Sequence, residues 1–223
     1  MIKLAGYLKP FFFGLIIAVL LLFAQALCDL NLPNFMSRIV NVGIQQHGIE
    51  HSTPRAISKE GYRFITIFMS DQEKALMDAS YSLASGADKN KEGKLYRDVY
   101  PAAAEEQIYI LEDSISGESL AQLDAAFGWA TWTMINVLKS FAGEQESSRS
   151  MEPVDMQSAD ITQLYKMHPL LAQLPQHLFD EARQQAQAMD HSLLAQSGTM
   201  LAAVFYRDLG MDLEAYQRSY IIG

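Results

Sequence analysis

Two histidines, His47 and His51, lie four residues apart in the sequence. This is the spacing at which two imidazoles on one helical face can bind a zinc ion. Gly48 lies between them and the neighbouring residues are polar, so a stable helix is not expected here. We therefore predict that this pair holds no metal. The other histidines occur singly in helical patterns and are interpreted as capped or solvated side chains: His168, His177 and His191.

Nucleotide chemistry would require a glycine-rich loop that ends in Gly-Lys-Ser or Gly-Lys-Thr, because its N–H groups bind the phosphates. The nearest segment, Gly86–Lys94, has a different spacing, and Leu95 follows its lysine. The segment Ile115–Ser119, ISGES, partly resembles an ATP-contacting loop but lacks the second glycine. No Ser/His/Asp or Cys/His arrangement is indicated by local spacing. We predict that this chain is not an enzyme and binds no cofactor.

Acidic residues outnumber basic ones, and the formal net charge of the 223 residues is −9. Nucleic-acid binding needs a basic face, so this class of function is excluded. Several carboxylates cluster along the chain, which favours a solvated acidic face; the alternative is weak attraction of cationic substrates. The clustered residues are Glu105, Glu106, Glu112, Asp113 and Glu118.

A long apolar segment dominates the N-terminal part of the chain. Phe11 to Ala24 contains no polar side chain. A helix from Phe11 to Leu30 would roughly match the ~30 Å hydrocarbon core of a bilayer at ~1.5 Å per residue. The sequence therefore predicts a first membrane helix. A buried core helix is disfavoured because the segment is apolar on every face.

The charges around this segment predict its orientation. Lys3 and Lys9 precede it, which favours a cytoplasmic N-terminus and an extracytoplasmic location for the residues that follow. Gln25 and Asp29 are the polar residues at its outer end. Because polar groups in membrane helices usually face a cavity or another helix, both are candidate pathway or helix-contact residues.

A cleaved signal peptide is the alternative interpretation of the same segment. The two lysines would form its basic region, and Ala24-Gln25-Ala26 its cleavage site. The remainder would then be a secreted or periplasmic binding module. A disulfide framework is not expected in either case, since Cys28 is the sole cysteine.

The rest of the sequence predicts a helix-rich α+β domain over residues 49–210. Residues 62–69, YRFITIFM, favour a strand because they are rich in aromatic and β-branched side chains, and residues 106–113, EQIYILED, favour a second. Ser70 and Glu73 form a capping-box pattern that begins a helix to about Leu83. Further helices are predicted over Ser119–Ala142, from Asp160 to about Lys166, and from Pro175 towards Leu209, with a stop at Gly210 and a cap at Asp212.

A run of apolar and amide residues follows the apolar segment: Asp29, Leu32, Pro33, Asn34, Met36, Ile39, Val40, Asn41, Gly43, Ile44, Gln45, Gln46 and Gly48. With the apolar helix before it, this pattern resembles the start of an ABC exporter half-transporter, of the bacterial multidrug type whose halves form heterodimers. Three later stretches fit a branch of that family with a large extracytoplasmic insert: residues 68–74, 100–101, and 209–212 with Gln217 and Tyr220.

The resemblance implies a membrane protein with a mainly α, type IV exporter-like transmembrane domain. Residues 1–48 would hold a cytoplasmic lead, membrane helix 1 and its extension. Residues 49–210 would form the insert, and residues 211–223 the start of a truncated membrane helix 2. The location would be a bacterial plasma membrane.

The same resemblance implies a function and a set of partners. The parent would use ATP and Mg²⁺, bound by an ATPase domain absent from this chain, to export drugs, lipids or other amphipathic substrates. The insert would cap or regulate the outer mouth. The implied partners are the remaining membrane helices and ATPase domain, a second half-transporter and the lipid bilayer, without nucleic acid.

Overall fold

A computed structural model describes residues 12–38, 40, 42, 46–145 and 161–222. Its strands are β1 (Ala56–Ser58), β2 (Tyr81–Ala84) and β3 (Ile108–Leu111). Its helices are α1 (Phe12–Arg38), α2 (Lys59–Thr66), α3 (Asp71–Ser80), α4 (Tyr96–Val99), α5 (Gly117–Gln145), α6 (Ile161–Lys166), α7 (His168–Leu171), α8 (Gln176–Gln187), α9 (His191–Asp208) and α10 (Leu213–Ile222). A 3₁₀ turn, Pro101–Ala104, precedes β3.

The three strands form a small antiparallel sheet in the order β1-β3-β2. Ile57 of β1 and Leu83 of β2 lie opposite Tyr109 of β3 on its two sides. Strand β3 is therefore central although it comes last in sequence. Tyr109 also stacks on Tyr62 of α2, with ring centroids 4.0 Å apart, so the sheet and the helical layer share aromatic contacts.

The main core lies between the sheet, α2, α3 and the long helix α5, against which α8 and α9 pack. Phe64, Phe127 and Phe205 come from α2, α5 and α9, and each is almost fully buried. Burial of a large apolar side chain contributes about 1.5–3 kcal/mol, so these three helices are joined mainly by the hydrophobic effect. Helix α5 thus serves as the common support for α3, α8 and α9.

We refer to β1–β3 and α2–α10 together as the folded part of the chain. The two ends of this folded part lie side by side. Ile49, just before β1, and Leu213, at the start of α10, are buried in the same second apolar cluster. Tyr220 Oη donates a hydrogen bond of 2.9 Å to Glu50 Oε1. The segment that enters the domain and the helix that leaves it are therefore in contact.

The membrane prediction is corrected by the structure. Within the described ranges, no helix combines the length and the hydropathy needed to cross a membrane. The predicted membrane helix 1, the truncated membrane helix 2, the exporter-like transmembrane domain and the plasma-membrane location with an extracytoplasmic insert are therefore wrong. The fold is helical with a small three-stranded sheet.

The physical reason that α1 does not match a membrane helix is the position of its polar residues. The apolar part of α1 ends at Ala24 and spans only about 20 Å from Phe12, because each residue adds ~1.5 Å. Gln25, Asp29 and Asn31 follow within the same helix. The predictions for Lys3 and Lys9 concern residues outside the described ranges.

The strand predicted over residues 62–69 is also wrong, because most of this segment belongs to α2. Ser58 caps the helix by accepting a hydrogen bond of 3.1 Å from Gly61 N, and Glu60 lies in the first turn, where the helix dipole favours an acid. Buried Gly61, Tyr62 and Ile65 then recur at helical spacing. Cap and periodicity therefore outweigh the β-propensity of YRFITIFM.

Several local predictions are confirmed. The capping box of Ser70 and Glu73 opens α3, although this helix ends at Ser80 and β2 follows directly. Strand β3 lies within the predicted residues 106–113, and α5 covers the predicted central helix. Gly210 adopts a φ of +76° after α9, as expected of a helix stop, and Asp212 Oδ1 caps α10 by accepting from Ala215 N at 2.9 Å. Asp160 lies outside the described residues.

Candidate functional site

The two polar residues predicted on the first helix, Gln25 and Asp29, both lie on α1 and are exposed. Their separation of four residues places them on one face of the helix. Large apolar side chains around them are exposed as well, for example Leu22 and Phe23. Exposed apolar surface of this kind indicates a contact site. Nothing in the structure shows what covers it, so the role of both residues stays a prediction.

His47 and His51 do not share a helical face, because His47 lies in a turn with a φ of +55°. His51 Nδ1 instead lies 2.8 Å from Asp124 Oδ2 of α5. Asp124 Oδ1 accepts from both the backbone N and the Oγ1 of Thr53, at 2.9 Å and 2.7 Å. These bonds fasten the segment before β1 to α5, and we interpret the cluster as an anchor.

The acidic residues predicted to form one face are separated by the structure. Glu105 and Glu106 precede β3, whereas Glu112 and Asp113 follow it, which places the two pairs about 20 Å apart at ~3.3 Å per residue. Asp113 pairs with Lys91 at 3.2 Å. Burial, and then the charges of Glu60 and Asp208, raise the pKa of Glu106.

The loop between β2 and α4 contains oxygen-bearing side chains at alternate positions: Asp88, Asn90 and Glu92, followed by Gly93 with a φ of +77°. This resembles the first half of a calcium-binding EF-hand loop, except that Glu92 stands at the fifth position, which takes Asp or Asn. Val99 occupies the twelfth position, where such loops carry a bidentate glutamate. Asp88 accepts from Ser85 N and Asn90 accepts from Lys94 N, so both side chains stabilise the turn itself. Within the described ranges, no three His, Cys, Asp or Glu residues are grouped closely enough to hold a metal ion.

The structure reveals a cleft that the sequence did not predict, between α3, α5 and α8. Its volume is about 790 Å³, within the ~300–1,000 Å³ usual for small-molecule sites. We call it the Arg183 cleft. Its lining residues are Ser70, Gln72, Glu73, Ala75, Leu76, Gln122, Ala125, Trp129, Arg183 and Gln187.

An ion pair forms part of the wall of this cleft. Arg183 Nη2 of α8 donates to Glu73 Oε1 of α3, and Arg183 Nη1 donates to the carbonyl oxygen of Phe68 at 3.3 Å. The side chain of Arg183 is only 20% exposed and that of Glu73 only 10%. Glu73 Oε2 also accepts from Ser70 N at 2.8 Å, so the capping box fixes the carboxylate from its other side. Both charged groups are therefore held in one orientation.

Trp129 of α5 completes this arrangement. The Arg183 guanidinium carbon lies 5.9 Å from the centroid of its ring, which is a cation–π distance. Trp129 is half-buried and lines the cleft, so one aromatic side chain contacts both the ion pair and the open volume. The arrangement offers hydrogen-bonding groups beside an aromatic surface.

A smaller cavity of about 400 Å³ adjoins the cleft and shares Ser70 and Arg183 with it. Its lining mixes apolar and charged side chains, with Phe68 and Phe179 beside Asp71, Lys74 and Asp180. Arg183 therefore lines both openings.

Two parts of the Arg183 cleft could be predicted from the sequence, but their meeting in one cleft could not. The Ser70–Glu73 capping box is a local pattern, and Trp129 was placed on the central helix. The contact of Arg183 with Glu73 joins residues 110 positions apart, which no local pattern encodes. The available indication was that Glu73 and Arg183 carry opposite charges within predicted helices. The sequence did not show that the two side chains are paired or that they are buried.

Comparison of the chain with protein-family models, with curated proteins and with solved structures finds no match in any of the three. The exporter resemblance therefore depends on the quoted sequence motifs alone.

Proposed function

We propose that the folded part of this chain is a non-catalytic ligand-binding module that regulates an ATP-driven exporter. The observation that carries the proposal is the Arg183 cleft, which has the size of a small-molecule site. Its ion pair and Trp129 give it a fixed wall. A pre-formed site of this kind favours binding because fewer side chains must be ordered when a ligand enters.

The connection to an exporter comes from the sequence motifs around residues 29–48 and 209–220. These motifs flank the folded part on both sides, and Tyr220 of the second motif donates a hydrogen bond to Glu50, which lies two residues after the first. Helix α5 lines the cleft and packs against α9, which in turn contacts α10. We therefore propose that a ligand in the cleft acts on the connecting segments through α5 and α9. An ATPase domain would supply ATP and Mg²⁺ chemistry, and a second half-transporter would complete the exporter.

The test replaces residues 51–209 by a short flexible linker in the complete exporter. We expect basal ATP hydrolysis to persist, because the chain contains no P-loop, and its stimulation by transported compounds to change. Loss of basal ATP hydrolysis in a folded and assembled variant would contradict a regulatory role. Unchanged stimulation would contradict it equally.

A further inference from the structure

The charge of the Arg183 cleft limits the kind of ligand that it can bind. Among the described residues that line it, Glu73 and Arg183 are the charged ones, and they neutralise each other in an ion pair. A charged ligand would have to leave water without a counter-ion in the cleft, and desolvation of an unpaired charge is costly. The lining therefore favours a neutral ligand.

The rim of the cleft carries three amide side chains, one from each of its helices. Gln72 lies on α3, Gln122 on α5 and Gln187 on α8, and all three are exposed. Each amide offers two N–H donors and one acceptor oxygen. A hydroxyl group is likewise both donor and acceptor, so several hydroxyl groups on one ligand match this rim.

Trp129 adds a second element of recognition. It lines the cleft together with Leu76 and Ala125, so an apolar wall faces the same volume as the amides. Tryptophan provides a large apolar contact area at little cost in conformational entropy, because it has only two side-chain torsions. Sugar rings combine the two matching properties, since their C–H faces are apolar and their edges carry hydroxyl groups.

We infer that the Arg183 cleft binds a neutral carbohydrate. The ligand presents hydroxyl groups to Gln72, Gln122 and Gln187 and places a C–H face near Trp129. This inference depends on the proposed function, in that it assigns a ligand class to the same binding module.

The test is a glycan array with neutral, acidic and amino sugars, probed with the fluorescently labelled full chain. Affinity for any neutral glycan that binds is then measured by calorimetry. Replacement of a rim amide removes one neutral hydrogen bond of about 0.5–1.5 kcal/mol, so Gln122→Ala and Gln187→Ala should each weaken binding by about 2- to 10-fold. Gln185→Ala is the matched control, because Gln185 is exposed on the same helix as Gln187 but does not line the cleft.

Binding of a neutral glycan that both rim variants weaken and the control does not supports the inference. Binding of acidic or amino sugars alone, or of no glycan, overturns the carbohydrate assignment. Neutral-glycan binding that the rim variants leave unchanged overturns the location. A non-carbohydrate compound that binds wild type but not the cleft-filling variant Ala75→Trp would retain the proposed module while refuting this ligand class.

Discussion

The ion pair between Arg183 and Glu73 gives a stability prediction whose size follows from its burial. Replacement of Arg183 by methionine keeps an apolar stem but removes the positive charge. Glu73, with a side chain 10% exposed, would then remain in the protein with only its bond from Ser70 N. Breaking a buried pair in this way costs about 3–5 kcal/mol. We expect about 3 kcal/mol because the Ser70 bond persists and Arg183 retains 20% exposure.

The assay is urea unfolding of the full chain followed by tryptophan fluorescence. With a slope of about 2 kcal/mol per molar urea, the midpoint should fall by about 1.5 M. Arg218→Met is the control, because Arg218 is exposed on α10 and surface changes usually stay within about 0.5 kcal/mol. A loss for Arg183→Met no larger than that of the control would refute the buried pair.

Three further predictions concern parts of the fold around the cleft. Ser70→Ala removes the hydroxyl that accepts from Glu73 N and should cost about 1 kcal/mol of unfolding free energy, measured by urea denaturation. Gly198→Ala places a Cβ 2.5 Å from Ser52 Cβ and should cost about 1–3 kcal/mol; an unchanged midpoint would refute the close approach of these two segments. Burial raises the pKa of Tyr206 to about 12, so its contribution to stability is complete below pH 10 and is lost as the pH rises towards 12. Unfolding free energy should therefore fall over this interval, and Tyr206→Phe should reduce the fall.

Local chemistry explains which elements could be predicted from the sequence. The capping box at Ser70, the stop at Gly210 and the cap at Asp212 each depend on a few neighbouring residues, and all three occur in the structure. Helix α5 was predictable from its long apolar pattern. The segment of residues 62–69 was misassigned because its β-propensity was weighed without the cap at Ser58 that precedes it.

The sequence did not predict the cleft, and it predicted a membrane helix wrongly, for different reasons. The cleft depends on contacts between α3, α5 and α8, which are distant in sequence. The membrane assignment gave weight to the apolar run Phe11–Ala24 and too little to Gln25 and Asp29, which lie in the same helix. Gln25 and Asp29 were singled out by polarity alone; the structure places both on α1, and neither is among the residues that line the cleft.

The Arg183 cleft as a ligand site is tested most directly by thermal unfolding of the full chain in the presence of a varied small-molecule library. A compound that binds the folded state raises the midpoint by mass action. Ala75→Trp places a large side chain in the cleft, whereas Ala79→Trp places the same side chain on the same helix at an exposed position outside the lining. The account predicts a compound that raises the midpoint of wild type and Ala79→Trp but not that of Ala75→Trp. Equal shifts in all three proteins, or no shift with any compound, would contradict it.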